Sequence, residues 1–480
     1  MSVSPILQLP SARAHLPTRS RSRSPGDTQR AIRLDGGRQR GGRRATRLHD
    51  GQRRGKRRTT RLHDGLRAAL ATLVAILAAV PAAGATPALA ASITQNALTG
   101  QLRHELAIAG AHSGAYVYDL STATPLFAER ATVAHPPASV EKLYTATTAL
   151  ELMGPAATLS TTVLGSGRLG PDGRWEGDLY LHGGGDPTFG SATFVASHYG
   201  GQGTTVTELA ALVKATGIRS VTGSVDGDES YFDSLRGEPA SGYAFDPYLE
   251  GDLSGLAFNR GETGSETGAH APAAYAALEF RGALRAQGIT VHGGTAAGAP
   301  AGATTIVTES SPDLATLLGL TLPPSDNFFA ETLIKDIGAR YGGAGTTAAG
   351  AAVVRATIAR LFGLHPYLVD GSGLSHTDAT TPQQVVQLLT ALAHSPLGTT
   401  LRDDLAVAGH TGTLSERMRG TPASGRCQAK TGTLEGVSNL AGYCQAANGN
   451  ILAFAFFNDG IETYEAHTIQ DNMAITLTRY

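Results

Sequence analysis

The chain has 480 residues, with 39 Lys and Arg against 40 Asp and Glu, so its formal net charge is only −1. Two cysteines are too few for a disulfide-rich scaffold or a cysteine-based zinc cluster. The length of the chain suffices for a core and more than one domain.

The near-zero charge hides two opposite parts. Residues 1–67 carry 18 Lys and Arg and four Asp, which leaves 21 basic and 36 acidic residues in the rest. A basic segment can bind nucleic acid or anionic lipid, but this one has no aromatic interleaving and no core, so we predict a disordered leader. A translation start assigned too far upstream, which we favour slightly, and a leader with its own function both stay open. The acidic remainder predicts no nucleic-acid partner.

Residues 68–90 predict a secretory signal peptide. An apolar run of about 13 residues, Ala68–Val80, follows Arg67 and precedes Ala88-Leu-Ala90, the A-x-A pattern of cleavage sites. The run is shorter than the roughly 20 residues of a membrane-spanning helix. We therefore expect cleavage near Ala90 and an exported, extracytoplasmic protein, with peripheral association with the cell envelope possible. Uncleaved anchoring is the second interpretation.

Ser139-Val-Glu-Lys142 is the first of three short motifs. Pro137 favours an extended approach, and Val140–Met153 has the apolar spacing of a helix, so Ser139 and Lys142 fall one turn apart on one face. A serine hydroxyl needs an adjacent base to become nucleophilic. Burial and a second cation, for which Lys430 is a candidate, lower the pKa of a lysine. We predict Ser139 as nucleophile and Lys142 as its base.

Ser325-Asp-Asn327 is the second motif. It follows two prolines and precedes a predicted helix, 328–338. A corner between loop and helix can aim both polar side chains into a cleft. Ser325 is predicted to relay protons between Lys142, Lys430 and the leaving group, and Asn327 to hold the amide of the substrate.

Residues 429–434 and 437–443 predict a β-hairpin. Cys427 and Cys444 would fall opposite each other in it, and an oxidising compartment would permit a bridge. Spacing does not fix geometry, so a disulfide and two buried thiols stay equal alternatives. No cofactor is predicted, and no metal site, because the two cysteines are far apart in sequence without a nearby histidine pair.

The third motif, Lys430-Thr-Gly432, lies on the first strand of this hairpin. Lys430 and Thr431 suit a terminal carboxylate of the substrate. Gly432 has no side chain, so a substrate backbone can approach that edge closely. The backbone N–H groups of Ser139 and Thr433 are predicted to form an oxyanion hole.

In this order the motifs resemble those of class A β-lactamases and penicillin-binding proteins. Longer phrases resemble more closely the class C low-molecular-mass penicillin-binding proteins, the D-alanyl-D-alanine carboxypeptidase/endopeptidase family. The phrases are Pro137–Leu143, Gly177–Pro187, Ser325–Glu331, Asp370–Ser375, Gly420–Gly425 and Ala429–Leu434. The resemblance implies a serine acyl transferase that removes the terminal D-Ala of peptidoglycan stem peptides or hydrolyses cross-links. It also implies β-lactams as covalent inhibitors.

The strand of the third motif follows the first motif by about 290 residues, which predicts a discontinuous catalytic domain, 92–158 plus 312–480. We predict an α+β fold of the β-lactamase/transpeptidase type, an antiparallel sheet flanked by helices. Residues 159–311 would form an inserted mixed, β-rich domain. The resemblance implies a longer insertion than this one, so any role of the insertion in docking the wall or partners is in doubt.

Two other functions stay open. A β-lactamase uses the same trio, but class A enzymes need an additional glutamate that positions water, and the mature chain of about 390 residues is long for a single-domain β-lactamase. A non-catalytic wall-binding protein is the third hypothesis, which the complete set of motif residues disfavours.

Three further segments mimic functional motifs. Gly165–Gly170 matches G-x-G-x-x-G but is followed by Pro171 and not by a helix, which predicts a surface turn. His182–Gly185 resembles an oxyanion loop of lipases, yet no G-x-S-x-G follows, so we predict a turn. Asp370–Ser375 has no partnering base and is predicted as a structural loop near the cleft.

Overall fold

The structure, a computed structural model, describes residues 92–262 and 271–480, which form eleven strands and eleven α-helices. The strands are β1 Ser113–Asp119, β2 Thr124–Glu129, β3 Ser160–Leu169, β4 Arg174–Gly184, β5 Ser220–Val221, β6 Val225–Asp228, β7 Thr304–Ser310, β8 Ala406–Val407, β9 Cys427–Leu434, β10 Val437–Gln445 and β11 Ile451–Asp459. The helices are α1 Gln95–Ile108, α2 Lys142–Met153, α3 Ala192–Tyr199, α4 Val206–Ala215, α5 Pro272–Ala286, α6 Leu314–Thr321, α7 Asn327–Tyr341, α8 Thr347–Phe362, α9 Pro382–Ala393, α10 Gly398–Asp403 and α11 Thr463–Arg479.

The first sheet is antiparallel and has the order β2-β1-β11-β10-β9-β8. Its strands come from both ends of the described chain, because β1 pairs with β11 over the register Ser113↔Asn458 to Asp119↔Leu452. The predicted hairpin is β9 and β10, paired from Leu434↔Val437 to Cys427↔Cys444. The sheet therefore brings the third motif into the same layer as the strands that precede the first motif.

Helices cover both faces of this sheet, as the side-chain alternation of the central strand β11 requires. Phe454 and Phe456 contribute to the apolar cluster that includes α1 and α11. Phe457 faces the other cluster, with α2, α6, α7, α8 and α9. The predicted α+β architecture is confirmed.

The second sheet has the order β5-β4-β3-β7, and β6 also pairs with β4. Two predictions of turns are wrong here. Gly165–Leu169 continues β3, because the missing side chains of Gly167 and Gly177 let β3 and β4 approach: a Cβ on Gly177 would lie 2.0 Å from the Ser166 carbonyl oxygen. His182–Gly184 is likewise the end of β4, paired with β3 and β6.

An apolar cluster connects the segment around the second sheet with the start of α7. Leu159, Phe194 and Leu249 pack with Phe328 and Phe329, which begin α7 directly after the second motif. The segment 229–262 thus borders the site from the side of the predicted insertion. The boundaries of that insertion stay a prediction.

The predicted leader, 1–67, and the predicted signal peptide, 68–90, lie outside the described residues. Between 92 and 480, leaving aside 263–270, no helix has both the length and the apolar character needed to cross a membrane.

Candidate active site

Ser139 and Lys142 meet as predicted. Ser139 lies in a 3-10 turn, Ala138–Glu141, and α2 begins at Lys142. The Lys142 Nζ atom donates a hydrogen bond to Ser139 Oγ at 3.0 Å. Val140 and Glu141, the first two residues of the predicted α-helix, therefore belong to a 3-10 turn, but this tighter turn still places the side chains of Ser139 and Lys142 together.

Lys142 is almost fully buried and has three acceptors. Besides Ser139, its Nζ donates to Asn327 Oδ1 at 2.6 Å and to the Ser372 carbonyl oxygen at 2.8 Å. Burial lowers the pKa of Lys142 to about 8, although nearby carboxylates, Glu141 foremost, act in the opposite direction. A pKa near 8 leaves roughly a tenth of this amine neutral at pH 7.

The second motif forms the predicted corner between loop and helix. Asp326 caps α7 by accepting the N–H of Phe329 at 2.9 Å. Ser325 has a left-handed backbone, φ 68°, a strained conformation for a residue with a side chain. Asn327 begins α7, and its Nδ2 donates to the Tyr248 carbonyl oxygen at 2.7 Å.

Asn327 thus contacts Lys142, the predicted base, which its predicted role at the substrate amide did not include. Its Nδ2 has a second hydrogen, which is available to a substrate carbonyl. In residues 92–262 and 271–480, the hydroxyl of Ser325 forms no hydrogen bond with Lys142 or Lys430. Its role as proton relay stays a prediction.

Lys430 is fully buried on β9. Its Nζ donates to the Thr431 carbonyl oxygen at 2.9 Å, and burial together with repulsion from Lys142 holds its pKa well below the usual range. The Thr431 hydroxyl donates to the hydroxyl of Thr413 at 2.8 Å. The backbone N–H of Thr413 donates to the Pro323 carbonyl oxygen, so this unpredicted residue connects the third motif with the loop that leads into the second.

The predicted reason for Gly432 needs correction. A Cβ at this position would lie 2.6 Å from the Pro137 carbonyl oxygen and 3.2 Å from the Val140 nitrogen. The missing side chain therefore lets β9 pack against the turn that contains Ser139. The prediction was instead that it lets a substrate backbone approach the strand. Thr433, the next residue, is exposed at this edge.

Two further contacts hold the turn of Ser139 in place. Asn439 on β10 donates from Nδ2 to the carbonyl oxygens of Pro136 and Pro137, at 2.8 and 2.9 Å. A disulfide joins Cys427 and Cys444 across β9 and β10, with a Cα–Cα distance of 4.1 Å. The strand of Lys430 is thereby tied to the strand that orients Ser139.

A cluster of buried carboxyl groups lies behind Lys142: Glu141, Glu331, Asp370 and Asp378. Glu331 Oε1 accepts the N–H groups of Gly371 and Ser372, both at 2.8 Å, and the carbonyl of Ser372 is the one that accepts from Lys142. Burial and the neighbouring Asp370 raise the pKa of Glu331 to about 8. Asp370–Ser375 is thus a structural loop at the site, as predicted.

Sequence reasoning assigned no role to this cluster. Three of its members, Glu141, Glu331 and Asp370, stand in phrases already singled out: Pro137–Leu143, Ser325–Glu331 and Asp370–Ser375. A glutamate inside an otherwise apolar helix start was the available signal. In the described ranges, no group of three or more His, Cys, Asp or Glu has the arrangement of a metal site.

Comparison with known proteins identifies the family. The family model "D-Ala-D-Ala carboxypeptidase 3 (S13) family" matches residues 94–244 and 253–480. The chain belongs to this family. The family of class C low-molecular-mass penicillin-binding proteins, inferred from the motifs, is confirmed, and the chain is a serine-type peptidase.

Relatives and solved structures agree with this. A D-alanyl-D-alanine carboxypeptidase of Actinomadura sp. (strain R39) is 32% identical over 83% of this chain and 88% of its own length. Carboxypeptidase DacB of Mycolicibacterium smegmatis is 29% identical over 72% and 75%. Penicillin binding protein 4 of Haemophilus influenzae has the same fold, with a TM-score of 0.66 at 20% identity, over 79% of this chain and 98% of its own.

Proposed function

We propose that this peptidase is a serine-type D-Ala-D-Ala carboxypeptidase that works through an acyl-enzyme on Ser139. The observation that carries the proposal is the 3.0 Å contact between Ser139 Oγ and the buried Lys142 Nζ, whose pKa burial lowers to about 8. Neutral amine and hydroxyl are then within reach of proton transfer at neutral pH. The names of the carboxypeptidase relatives support the substrate class.

Acylation would start with a lone pair on Lys142 Nζ. Lys142 takes the proton of Ser139 Oγ as this oxygen attacks the carbonyl carbon of the penultimate D-Ala. The N–H groups of Ser139 and Thr433 would stabilise the resulting oxyanion. The proton then passes from Lys142 through Ser325 to the amine of the departing D-Ala, and the C–N bond breaks.

Deacylation would use the same base. Water gives its proton to Lys142 while its oxygen attacks the ester carbonyl, and the ester oxygen leaves with a proton to restore Ser139. If the departing amine belongs to a neighbouring stem peptide, the same steps hydrolyse a cross-link. Endopeptidase activity is therefore the second activity that we propose for this site.

Substrate binding would use the free edge of β9. Within the described residues, β8 pairs with β9 only at Ala429 and Gln428, so the stretch from Lys430 to Thr433 can receive an extended peptide on that side. Lys430 and Thr431 would hold the terminal carboxylate, and Asn327 the stem amide.

β-Lactams carry a carboxylate and a strained amide in a similar arrangement, so we propose that they acylate Ser139. A structure of the Haemophilus influenzae penicillin binding protein 4 in complex with a β-lactam supports this part of the proposal.

We also propose export to the cell envelope. The apolar run Ala68–Val80 with the A-x-A pattern ending at Ala90 supports a cleaved signal peptide. The disulfide fits an oxidising compartment. In the cell envelope the enzyme would have access to peptidoglycan, the polymer that carries stem peptides.

A labelling experiment tests the proposal. The mature protein and its Ser139→Ala variant are incubated with a fluorescent penicillin, and release of D-Ala from a peptide ending in D-Ala-D-Ala is measured in parallel. We expect one label per molecule and D-Ala release with the unmodified protein, and neither with the variant. Rapid turnover of the penicillin without stable label would indicate a β-lactamase. Absence of both activities would indicate a wall-binding protein.

A further inference from the structure

A buried ion pair reaches the second motif from outside the three motifs. The guanidinium of Arg260 bonds to Oδ2 of Asp326, the middle residue of Ser325-Asp-Asn327. Both side chains are only 8% exposed. Arg260 belongs to the segment 229–262, so the contact joins the predicted insertion to the catalytic site.

Arg260 is held on several sides. Its Nε donates to the hydroxyl of Tyr199 at 2.8 Å, and its guanidinium lies 5.3 to 5.5 Å from the ring centres of Tyr199, Phe328 and Phe329. Stacking on aromatic faces and a bond to a hydroxyl leave the planar group few other orientations. The guanidinium is therefore a fixed partner for Asp326.

The backbone that carries Arg260 is strained. Asn259 and Arg260 have left-handed φ values of 49° and 57°. Such conformations cost on the order of 1–3 kcal/mol each and persist only where surrounding contacts impose them. Here Asn259 Oδ1 accepts the N–H of Ser191 at 2.8 Å, which fixes the bend.

Asp326 is itself fixed by these contacts, and its two sequence neighbours are Ser325 and Asn327. Its Oδ1 accepts the N–H of Phe329 and its Oδ2 accepts from Arg260, so both oxygens of the carboxylate are engaged. Ser325 on one side keeps its left-handed backbone, and Asn327 on the other side accepts from Lys142 at 2.6 Å.

We propose that Arg260 is a positioning residue for acyl transfer, which it serves by fixing Asp326 and thereby the side chains of Ser325 and Asn327 against Lys142. This inference rests on the proposed function. It gives the insertion a defined part in the chemistry, because the residue that sets the second motif comes from residues 229–262.

The test replaces Arg260 by methionine and measures penicillin acylation at several concentrations, which separates the acylation rate constant from the dissociation constant. A misplacement of about 1 Å costs on the order of 100-fold in rate. We expect the rate constant to fall between tenfold and 100-fold in R260M, and the dissociation constant to stay within threefold.

Arg281→Met is the matched control. Arg281 is an arginine of similar exposure on α5 whose Nη1 donates to the Val225 carbonyl oxygen, away from the three motifs. We expect R281M to lose thermal stability, with an acylation rate constant within twofold of the unmodified protein. All proteins are measured at a temperature where circular dichroism finds them folded.

Arg260→Lys keeps the test decisive where R260M does not fold. A lysine ammonium on a flexible stem cannot hold Tyr199 and Asp326 as the planar guanidinium does. We expect R260K to lose at least threefold in the rate constant, less than R260M. Rate constants within twofold in R260M, or within 1.5-fold in R260K, would overturn the inference. Failure of the unmodified protein to be acylated would instead overturn the proposed function.

Discussion

The two buried lysines of the site lie in opposite surroundings. Lys142 has three hydrogen-bond acceptors and lies near Glu141, Glu331 and Asp370, whose charges raise its pKa against the effect of burial. Lys430 donates to one carbonyl oxygen, and no carboxylate of residues 92–262 or 271–480 forms an ion pair with it.

This difference in surroundings supports the two different roles that we propose for Lys142 and Lys430. Lys142 has its acceptors within the protein and a pKa near 8, as a base that must gain and lose a proton requires. Lys430 is buried without a carboxylate partner in the described residues, and burial of its unpaired positive charge costs free energy unless an anion binds to it. The carboxylate of the proposed substrate would be that anion. Four predictions test these roles, in descending order of expected effect.

Lys142→Met should have the largest effect. Because a positioned base contributes about 10² to 10⁴ in rate, we expect penicillin acylation of Ser139 to slow at least 100-fold in a stopped-flow or mass-spectrometric assay. Lys335→Met is the control, since Lys335 is also fully buried but pairs with Asp233 outside the site. An equal loss in both variants would contradict the assignment of Lys142.

Lys430→Met should discriminate between substrates. Hydrogen bonds to charged groups contribute about 1.5–3 kcal/mol, which corresponds to roughly 10- to 150-fold in kcat/KM. We expect this loss for a peptide ending in D-Ala-D-Ala. The same peptide with a C-terminal amide should lose little, and equal losses for both would speak against a carboxylate site.

Glu331→Gln should shift the pH dependence of acylation. In the proposed mechanism Lys142 reacts as the neutral amine, so the rate of acylation should rise with pH through about 8. The negative charge of Glu331 raises the pKa of Lys142, but Glu331 is itself mostly protonated at pH 7 because its own pKa is about 8. Its replacement should therefore move the midpoint only slightly to lower pH, with a gain of about two- to threefold at pH 7. A midpoint shifted to higher pH would refute this sign.

Replacement of Cys427 and Cys444 by alanine should have the smallest effect on activity. A loop of 17 residues predicts a loss of about 3 kcal/mol in the free energy of unfolding, measured by urea titration. Because Asn439 still holds the turn of Ser139, acylation at 25 °C should stay within twofold. Unchanged stability would argue that the bridge does not form.

Sequence patterns correctly predicted the features that are formed by residues close together in the chain. The hairpin β9–β10 and the turn that joins Ser139 to Lys142 follow from spacing within about 20 residues. Lys430 could be assigned because its motif stands in a recognisable order with the other two.

The supporting contacts depend on residues far apart in sequence. Nothing near Glu331 indicates that it will accept two N–H groups from the loop after Asp370, and nothing near Arg260 indicates a contact with Asp326. The turn predicted for Gly165–Gly170 was wrong for a related reason. Whether a glycine-rich segment forms a turn or continues a strand depends on its partner strand, here β4, which is not visible in the segment itself.

The proposed mechanism depends most directly on the protonation state of Lys142. An NMR titration of the lysine ε-methylene groups, with the Lys142 signal assigned by its loss in Lys142→Arg, reports that protonation in the intact protein. We predict a midpoint near pH 8 for Lys142. A Lys142 signal that stays in the charged position up to its ordinary pKa of 10.5 would contradict the proposed base.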